Sequence, residues 1–450
     1  MSDTSMIEKI AKYIPSIKPS IVTLTTKERV LNTLLVIVIY AILSSIYIFG
    51  LDLSVTQRLA QLAILFGSNL GTLTTLGIGP IVLSSILLQL LIGMGILSIN
   101  LTTEDGKRKY NLYYRFFAIV FIILEAFVLL LSGTIIPNYS LDINPVVLHV
   151  IIFLQLFVGG IIILLLDDFS SKYGITSGIN VMIFTSISIA LFIRLFGFSI
   201  IADQIQYTGE LLLAIDFFLQ GNTIMGLVFV STILFTFIII YLSAYLSKLK
   251  IEIPLLYVNI RGETQKFPIN VLYTSVIPVI FIYAIIVQIQ HLFGFDNQNI
   301  IVRMLNPPRL LLSLGQYGVS YILDPLNIIH IFVYLLIFTI GGMLLSLYWI
   351  YALGLDPNNL AKQITENPAF GLYSRDPRII KEDLEKYIKP VGYLSGIFVG
   401  FLAAISDIVG TVISGISILL LVLIANQLYQ DLEKNGGLEY VPIIGKYLKK

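Results

Sequence analysis

Residues that could carry out catalysis are sparse in this sequence of 450 residues. The chain has no cysteine, which excludes disulfides and thiolate metal sites, and its three histidines are too scattered to form a ligand cluster. The His-Glu-x-x-His pattern of a zinc protease is absent, as is the Gly-x-x-x-x-Gly-Lys loop that binds nucleotide phosphates. We therefore expect no enzyme active site, no bound metal and no cofactor, and any energy from a nucleotide would have to come from a partner.

Three charged residues interrupt otherwise apolar stretches, and membrane chemistry could occur at these positions. Glu125 lies inside one stretch, whereas Asp407 and Arg194 lie toward the ends of two others. A pump or an ion-coupled carrier places ionisable groups at mid-membrane, paired and facing a cavity. The simpler interpretation of each residue is helix packing or an interfacial position, which fits Glu125 least well because it lies deepest. So small a set indicates a channel or a carrier without its own catalysis.

The composition predicts that the elements positioning these residues lie in a lipid bilayer. Hydrophobic residues make up 57% of the chain and charged residues 12%, and the mean hydropathy is +0.91. A soluble domain carries about 25% charged residues, so a water-soluble fold would lack the charge to cover its surface. A β-barrel is disfavoured because its strands alternate apolar and polar residues, whereas this sequence has long apolar runs. The predicted class is an all-α polytopic membrane protein, and the net charge of +1 gives no reason to expect DNA as a partner.

Ten apolar segments of about 20 residues are long enough to cross the hydrocarbon core as helices. The second segment is broken at its start by Gly77-Ile78-Gly79-Pro80, because glycine loosens the backbone and proline removes a hydrogen-bond donor. We interpret the moderately apolar stretch before it, Val55 to Leu70, as a short half-inserted helix. The ten segments cover about residues 30–50, 76–98, 115–136, 146–166, 178–200, 223–247, 269–291, 329–353, 391–411 and 412–430.

The distribution of lysine and arginine predicts the orientation of these segments. With the N-terminus inside, 24 of the 28 basic residues fall on one side and four on the other. Basic residues in short loops collect on the cytoplasmic side. Both termini are therefore expected in the cytoplasm, and the number of spans is expected to be even. The same side carries two long loops, and a helix is predicted within the second, from Asp376 to Tyr387.

Four segments of the sequence resemble the SecY family, the central subunit of the protein-conducting channel, in its archaeal and eukaryotic form. Residues 71–91, GTLTTLGIGPIVLSSILLQLL, are similar to the stretch where the family's plug helix meets its second span. Three further stretches, at 166–180, 251–280 and 354–403, follow in the family's order. Together they cover nearly the whole chain, so the resemblance is highly specific.

The resemblance implies ten transmembrane helices in two inverted five-helix halves around a central pore, with a re-entrant plug helix. It implies a pore-forming subunit that passes unfolded secretory polypeptides and releases transmembrane segments laterally into lipid. The alternative is a ten-span small-molecule carrier or flippase, which would need polar residues at its midplane site.

The resemblance also implies a division of the chain. We expect a cytoplasmic amphipathic segment at 1–29, followed by an N-terminal half at 30–200 that contains spans 1–5 and a plug at about 56–70. An exterior loop at 201–222 leads to a C-terminal half at 223–430, which contains spans 6–10 and cytoplasmic loops at 248–267 and 354–390. A cytoplasmic tail is expected at 431–450.

A ring of aliphatic side chains at the waist of the pore is the central functional element that the resemblance implies. Such a ring does not trap a passing chain, and when empty it loses water and blocks ions. From composition alone, these residues would be assigned to lipid contact or helix packing. The tenth span departs from the family in a thinned glycine run, Ser414-Gly415-Ile416-Ser417, on which the last assignment depends. The matched ring residues are Ile78, Val82, Ile179, Ile183, Ile280 and Leu420.

A lateral gate is implied between the second and third spans on one side and the seventh and eighth on the other. Glu125 and Gln288 match two members of its polar cluster, and Ser84 stands beside Leu83, which occupies the third position. The stretch at 56–70 could alternatively be a re-entrant packing helix. If it is the plug, the glycines Gly67, Gly71, Gly77 and Gly79 are its expected hinges.

The resemblance finally implies a docking platform for the ribosome on the two cytoplasmic loops. Arg261 matches an arginine of the first loop, and Arg375 lies near the corresponding position of the second; each could instead be a solvated surface residue. Basic tips of this kind bind RNA phosphate by charge attraction. The other expected partners are small SecE-type and beta-type membrane subunits, nascent unfolded polypeptide with its signal sequence, and membrane lipid. The expected location is the cell (plasma) membrane.

Overall fold

Long apolar helices make up most of the chain, because a bilayer offers no water to hydrogen-bond an exposed backbone. The structure is a computed structural model that describes residues 14–18, 24–51, 71–93, 96, 97, 99, 104–131, 135–201, 204–258, 264–272, 277–293, 299–352, 356–366 and 377–434. Within these residues, seven helices are long and apolar enough to cross a membrane by length and composition. The predicted class, an α-helical polytopic membrane protein, is confirmed.

The chain divides into two compact units. The first comprises Met1–Ala190 with Ile424–Lys450, and the second comprises Leu191–Leu423. The helices that begin in the first unit are α1 (Thr26–Leu43), α2 (Gly79–Gly93), α3 (Glu104–Leu131), α4 (Pro145–Tyr173) and α5 (Gly178–Phe196).

The second unit contains two antiparallel hairpins as well as helices. In one hairpin Phe198 pairs with Tyr207, and in the other Lys250 pairs with Asn270. The elements that begin in it are β1 (Phe198–Ile201), β2 (Gln204–Tyr207), α6 (Glu210–Leu219), α7 (Thr223–Lys248), β3 (Lys250–Val258), β4 (Thr264–Asn270), α8 (Ile277–Phe293), α9 (Ile300–Leu305), α10 (Leu310–Tyr317), α11 (Ser320–Leu323), α12 (Pro325–Ala352), α13 (Pro357–Glu366), α14 (Pro377–Val409) and α15 (Gly415–Lys434).

Three helices at predicted spans are shorter than the others. They are α1, α2 and α8, with 18, 15 and 17 residues. The start of α1 is set by a capping box, in which Thr25 accepts from the Glu28 backbone and Glu28 accepts from the Thr25 backbone. The start of α2 follows the predicted break at Gly77–Pro80, so the sequence located this boundary correctly.

One boundary differs from the prediction. The helix expected at Asp376–Tyr387 and the span expected at 391–411 form the single helix α14, which continues through Pro390. Proline removes only its own N–H donor and can be accommodated inside a helix by a kink. An apolar cluster packs the first part of α14 against α12 and α13, which supports the helix outside the apolar segment. Its members are Ile350, Leu360, Ala361, Ile380, Leu384, Ile388 and Val391, with Ile251 and Tyr387 against them.

Candidate functional site

The segment before α2 is a tightly fastened turn. Gly71 has φ +88° and Gly77 has φ +55°, left-handed values that favour glycine. The Ile48 N–H donates to the Gly71 carbonyl at 2.8 Å, and the Leu73 N–H donates to the Ile46 carbonyl at 3.0 Å. Predicted hinge residues Gly71 and Gly77 thus lie in a turn anchored to the chain after α1, and the predicted hinge residue Gly79 is the first residue of α2. Gly67 and the predicted plug at 56–70 lie outside the described residues.

The same turn packs closely on α4. A Cβ at Gly159 would collide with the Leu73 carbonyl oxygen, and a Cβ at Gly160 would lie 2.7 Å from Ile122 and 3.2 Å from Leu76. Adjacent glycines on α4 therefore let this turn and α3 approach its backbone. This close packing holds the start of α2, where the first predicted ring residue lies.

The predicted ring residues of the first unit form two pairs, each one helical turn apart. Ile78 is buried and Val82 half-buried at the start of α2, and on α5 Ile183 is buried and Ile179 half-buried. Residues four positions apart on a helix lie on the same face. Ile179 and Ile183 therefore lie on one face of α5, whereas Ile78 directly precedes α2 and its carbonyl accepts from the Val82 N–H at 2.9 Å.

The second unit carries the other two predicted ring residues. Ile280 is half-buried on α8, and Leu420 is buried on α15, five residues after the helix begins at Gly415. All six predicted ring positions are thus described, and all are aliphatic.

The start of α5 is held by a carboxylate of the preceding helix. Asp167 at the end of α4 accepts from the Ile179 N–H through Oδ1 at 3.0 Å. Its Oδ2 accepts from the Tyr114 hydroxyl of α3 at 2.9 Å. The carboxylate is buried, with Asp167 only 5% exposed. We name Tyr114, Asp167 and Ile179 the first carboxylate lock.

The start of α15 is held in the same way. Asp407 at the end of α14 accepts from the Gly415 N–H through Oδ1 at 2.8 Å and from the Tyr334 hydroxyl of α12 through Oδ2 at 2.9 Å. Asp407 is 6% exposed. We name Tyr334, Asp407 and Gly415 the second carboxylate lock. The sequence suggested a packing or interfacial role for Asp407, and its contacts are indeed between helices.

The locks were missed by the sequence analysis, although a signal for them exists. In each unit a glycine is followed seven residues later by the lock aspartate, as Gly160 is by Asp167 and Gly400 by Asp407. In each unit the next helix then begins with Gly-Ile. The same spacing also separates Gly209 from Asp216, whose carboxylate accepts from Gln220 instead, so the spacing alone does not identify a lock.

The predicted gate residue Glu125 lies on α3 beside the start of α2. A Cβ at Gly79 would lie 3.2 Å from Glu125 Oε1, so the carboxylate faces the first turn of α2. Its Oε2 is buried and has no hydrogen-bond partner among the described residues. The positive end of the α2 dipole favours a negative charge at this position.

The other two predicted gate residues are Ser84 and Gln288. Ser84 is buried and its hydroxyl donates to the Tyr114 carbonyl at 2.6 Å, which ties α2 to α3. Its neighbour Leu83 is 43% exposed. Gln288 lies on α8.

Arg194, the other charged residue singled out in the apolar segments, lies in a polar group at the end of α5. Its guanidinium donates to the Val412 carbonyl at 3.3 Å. Nearby, Glu210 at the start of α6 accepts from the Thr232 hydroxyl. Burial raises the pKa of Glu210, and the positive charges of Arg194 and Arg309 oppose this rise. The group is satisfied by backbone and side-chain partners, which fits the packing interpretation of Arg194.

The predicted ribosome contacts Arg261 and Arg375 lie outside the described residues. Each belongs to a loop whose base is described. The first loop is continued by β3 and β4, and the second lies between α13 and α14, which pack in the apolar cluster.

Comparisons with known proteins agree over almost the full length. A family model described as SecY matches residues 72–429. The protein translocase subunit SecY of Archaeoglobus fulgidus is 30% identical and covers 99% of both chains. That of Methanocaldococcus jannaschii is 29% identical and covers 98% of this chain and 99% of its own length.

Solved structures also match this chain over nearly its full length. The structure of a protein-conducting channel has a TM-score of 0.70 and 27% identity, covering 96% of this chain and 98% of the other. Sec61 in the canine ribosome–channel complex from the endoplasmic reticulum has a TM-score of 0.68 and 27% identity, covering 96% and 97%.

Proposed function

Because this chain belongs to the SecY family, we propose that it is the pore-forming subunit of a protein translocation channel. Unfolded secretory polypeptides cross the membrane through it, and transmembrane segments leave it sideways into lipid. The observation that carries the proposal is the family match at 72–429, which includes all six aliphatic ring positions. The chain belongs to a family of translocase subunits and acts as a conduit without chemistry of its own.

The ring explains how such a pore passes a peptide yet holds back ions. Ile78, Val82, Ile179, Ile183, Ile280 and Leu420 offer no polar atom that would bind a passing side chain. A constriction lined by aliphatic groups dewets when no polypeptide fills it. A ten-span carrier or flippase would instead need charged or hydrogen-bonding residues at its midplane site, and those positions are aliphatic here.

The gate and the plug regulate access in this proposal. Glu125, Ser84 and Gln288 form the polar part of the lateral gate. The Glu125 carboxylate lacks a hydrogen-bond partner for one oxygen among the described residues, which makes the closed gate less stable than an entirely apolar interface would be. The plug at 56–70 moves about the glycines at 67, 71, 77 and 79. Since Gly71 and Gly77 lie in an anchored turn, we place the main movement before Gly71.

The proposed partners follow from the family and from the charge distribution. We propose small SecE-type and beta-type membrane subunits, and a ribosome bound through Arg261 and Arg375 on the two long loops. Support for the ribosome comes from the similar Sec61 chain, which was solved in a ribosome–channel complex. The protein is a multi-pass membrane protein, and we propose the cell membrane with both termini in the cytoplasm, as the basic residues indicate.

The ring proposal is tested by polar substitution in reconstituted vesicles. Ile183→Ser and Ile280→Ser should each raise the resting ion conductance several-fold, because a hydroxyl at the constriction favours its hydration. The matched control is Ile193→Ser, ten residues further along α5, at a position that is 56% exposed. It should leave the conductance unchanged.

The same vesicles separate the two candidate functions. A translocation pore should move a signal-bearing unfolded polypeptide into the lumen when its partner subunits and a ribosome are present. Unchanged conductance in both ring variants would contradict the ring. Substrate-specific uptake of a small molecule, with no polypeptide transport, would favour the carrier.

A further inference from the structure

The two carboxylate locks repeat one arrangement in two separate units. In each, one oxygen of a buried aspartate accepts from the first turn of a helix and the other accepts from a tyrosine hydroxyl. The helix that is capped is α5 in one unit and α15 in the other. The tyrosine comes from α3 in one unit and from α12 in the other.

The glycines around each lock are also equivalent. Gly160 packs against Ile122 of α3, and a Cβ at Gly400 would collide with the Phe338 carbonyl of α12. At the start of the capped helices, a Cβ at Gly178 would collide with Asp167 and a Cβ at Gly415 with Ala403. In both units, then, the capped helix begins in direct contact with the helix that supplies the aspartate.

The proposed ring residues occupy the same position counted from the first residue of each capped helix, although the N–H that the carboxylate binds is that of Ile179 in α5 and of Gly415 in α15. Ile183 lies five residues after Gly178, and Leu420 lies five residues after Gly415. Both are buried, at 9% and 8% exposure. Counted from the helix start, this spacing agrees with Leu420 as the ring residue of α15, whereas counting from the bound N–H would select Leu419.

We propose that Asp167 and Asp407 are positioning residues that couple a gate helix to a ring helix within each unit. The inference rests on the proposed function, in which α3 and α12 border the lateral gate and α5 and α15 carry ring residues. A displacement of α3 pulls on the Asp167 carboxylate through Tyr114 and so on the first turn of α5. A displacement of α12 acts on α15 through Tyr334 and Asp407.

The physical basis is that one rigid carboxylate serves both helices. Its two oxygens are held in a plane, so the tyrosine oxygen and the backbone nitrogen cannot move independently while both hydrogen bonds persist. In a buried setting such bonds are electrostatically strong, and a broken one leaves a polar group unsatisfied. In the first unit the Ser84 hydroxyl also binds the Tyr114 carbonyl, so α2 joins the same connection.

Removing only the tyrosine hydroxyl is the sharpest test. Tyr114→Phe and Tyr334→Phe keep the aromatic ring and leave Asp167 and Asp407 free to cap their helices. We expect the resting conductance in reconstituted vesicles to rise about tenfold, equivalent to about 1.4 kcal/mol. We also expect a smaller ratio of signal-induced to resting conductance. The control Tyr348→Phe, on α12 at a position 61% exposed, should behave like the wild type.

The aspartate variants separate positioning from simple stability. Asp167→Asn and Asp407→Asn retain a carbonyl oxygen for the backbone N–H and an amide that can donate to the tyrosine oxygen, so both should stay close to wild-type conductance. The corresponding alanine variants should leak at least as strongly as the phenylalanine variants. If alanine prevents folding, the phenylalanine pair alone decides the question.

The outcomes distinguish this inference from the proposed function. If the wild type transports polypeptide and both phenylalanine variants keep wild-type conductance and signal response, the coupling is wrong and the function stands. A loss of abundance or melting temperature with unchanged conductance would likewise show a structural role only and overturn the inference. A wild type that neither conducts nor transports would refute the proposed function itself.

Discussion

Adjacent carboxylates at the end of α4 hold different parts of the chain. Asp167 belongs to the first carboxylate lock, whereas Asp168 is half-buried and pairs with basic side chains. Asp168 forms ion pairs with Lys172 at 2.6 Å and Arg115 at 3.1 Å, and its Oδ2 accepts from the Ile17 N–H at 2.8 Å. A second tie comes from the Tyr173 hydroxyl, which donates to the Lys18 carbonyl at 2.8 Å. One helix end therefore caps α5 on one side and fastens residues 14–18 on the other.

The N-terminal segment should loosen when this carboxylate is removed. Asp168→Ala removes the carboxylate that pairs with Arg115 and Lys172 and frees the Ile17 N–H, while Lys172 still donates to the Ile17 carbonyl. Partly exposed ion pairs are each worth about 1 kcal/mol or less, so we expect tryptic cleavage of the Lys12–Tyr13 bond, directly before residues 14–18, to become roughly three- to tenfold faster, since cleavage tracks the open population. The measurement is the initial rate of cleavage in detergent, followed by mass spectrometry.

The matched control for this experiment is Asp142→Ala, which removes an exposed carboxylate from the loop before α4. Its cleavage rate after Lys12 should equal that of the wild type. An equal rate in Asp168→Ala would mean that the carboxylate does not hold the segment.

Single residues were predictable from the sequence only where their type conflicted with their surroundings. Glu125 stood out because a carboxylate in an apolar segment is costly, and the structure places it at the first turn of α2. Tyr114 and Tyr334 did not stand out, because tyrosine is ordinary in these helices. Their importance depends on a partner 53 or 73 residues away in the chain, and no local pattern shows such a pairing.

At the scale of elements, glycines determine how closely helices approach. On α12, Gly341 and Gly342 are neighbours with different surroundings. A Cβ at Gly342 would lie 2.5 Å from the Gly396 carbonyl oxygen of α14, whereas a Cβ at Gly341 would meet only the flexible end of Ile282 at 3.0 Å. Small residues of this kind allow helix backbones to pack directly in a bilayer.

The two glycines should respond differently to the same substitution. Gly342→Ala forces α12 and α14 apart, and overpacking of this kind costs typically about 1–3 kcal/mol. We expect its thermal unfolding midpoint in detergent to fall by several degrees. Gly341→Ala should change the midpoint by much less, because Ile282 can rotate away.

The chain provides its own reporter for this comparison. Trp349 is its one tryptophan, and it lies buried on α12 with its ring 5.4 Å from that of Phe281. Its fluorescence follows the unfolding of α12 without a label. Equal midpoints for the two alanine variants would contradict the close approach at Gly342.

The existence of the long helices was predictable, whereas some of their limits were not. Apolar runs of about 20 residues identify a spanning helix because lipid allows little else. Pro390 suggested a boundary between a loop helix and a span, yet α14 passes through it. The apolar cluster explains the difference: it packs the first turns of α14 against α12 and α13, so tertiary packing outweighs the local cost of proline.

At the scale of the whole molecule, composition and charge asymmetry were sufficient for the class and the proposed orientation. The pore ring was not accessible in this way. An aliphatic residue lining a pore and one packed in a core have the same type and the same helical spacing. Only the family resemblance selected six positions among many, and Ile183 and Leu420 each lie five residues after the first residue of their helices.

The proposed lateral gate can be tested by a disulfide cross-link between helices of the two units. In the proposed function the channel opens toward lipid between α2 and α3 on one side and α8 and α12 on the other. A covalent link between α2 and α8 should therefore block the insertion of a signal sequence. Because the natural chain has no cysteine, an introduced pair forms the sole disulfide that oxidation can produce.

Leu83→Cys on α2, paired in turn with Phe281→Cys and Ile285→Cys on α8, uses positions that are 43%, 37% and 51% exposed. A disulfide fixes its two Cα atoms within about 7 Å, a separation that leaves no passage for a helix between α2 and α8. For any pair that oxidises fully, we expect insertion of a signal-bearing substrate to fall to background and to recover on reduction. The single-cysteine variants, treated in parallel, control for oxidation itself. Undiminished insertion by a fully cross-linked channel would mean that substrates leave elsewhere, because no path between these helices would remain open.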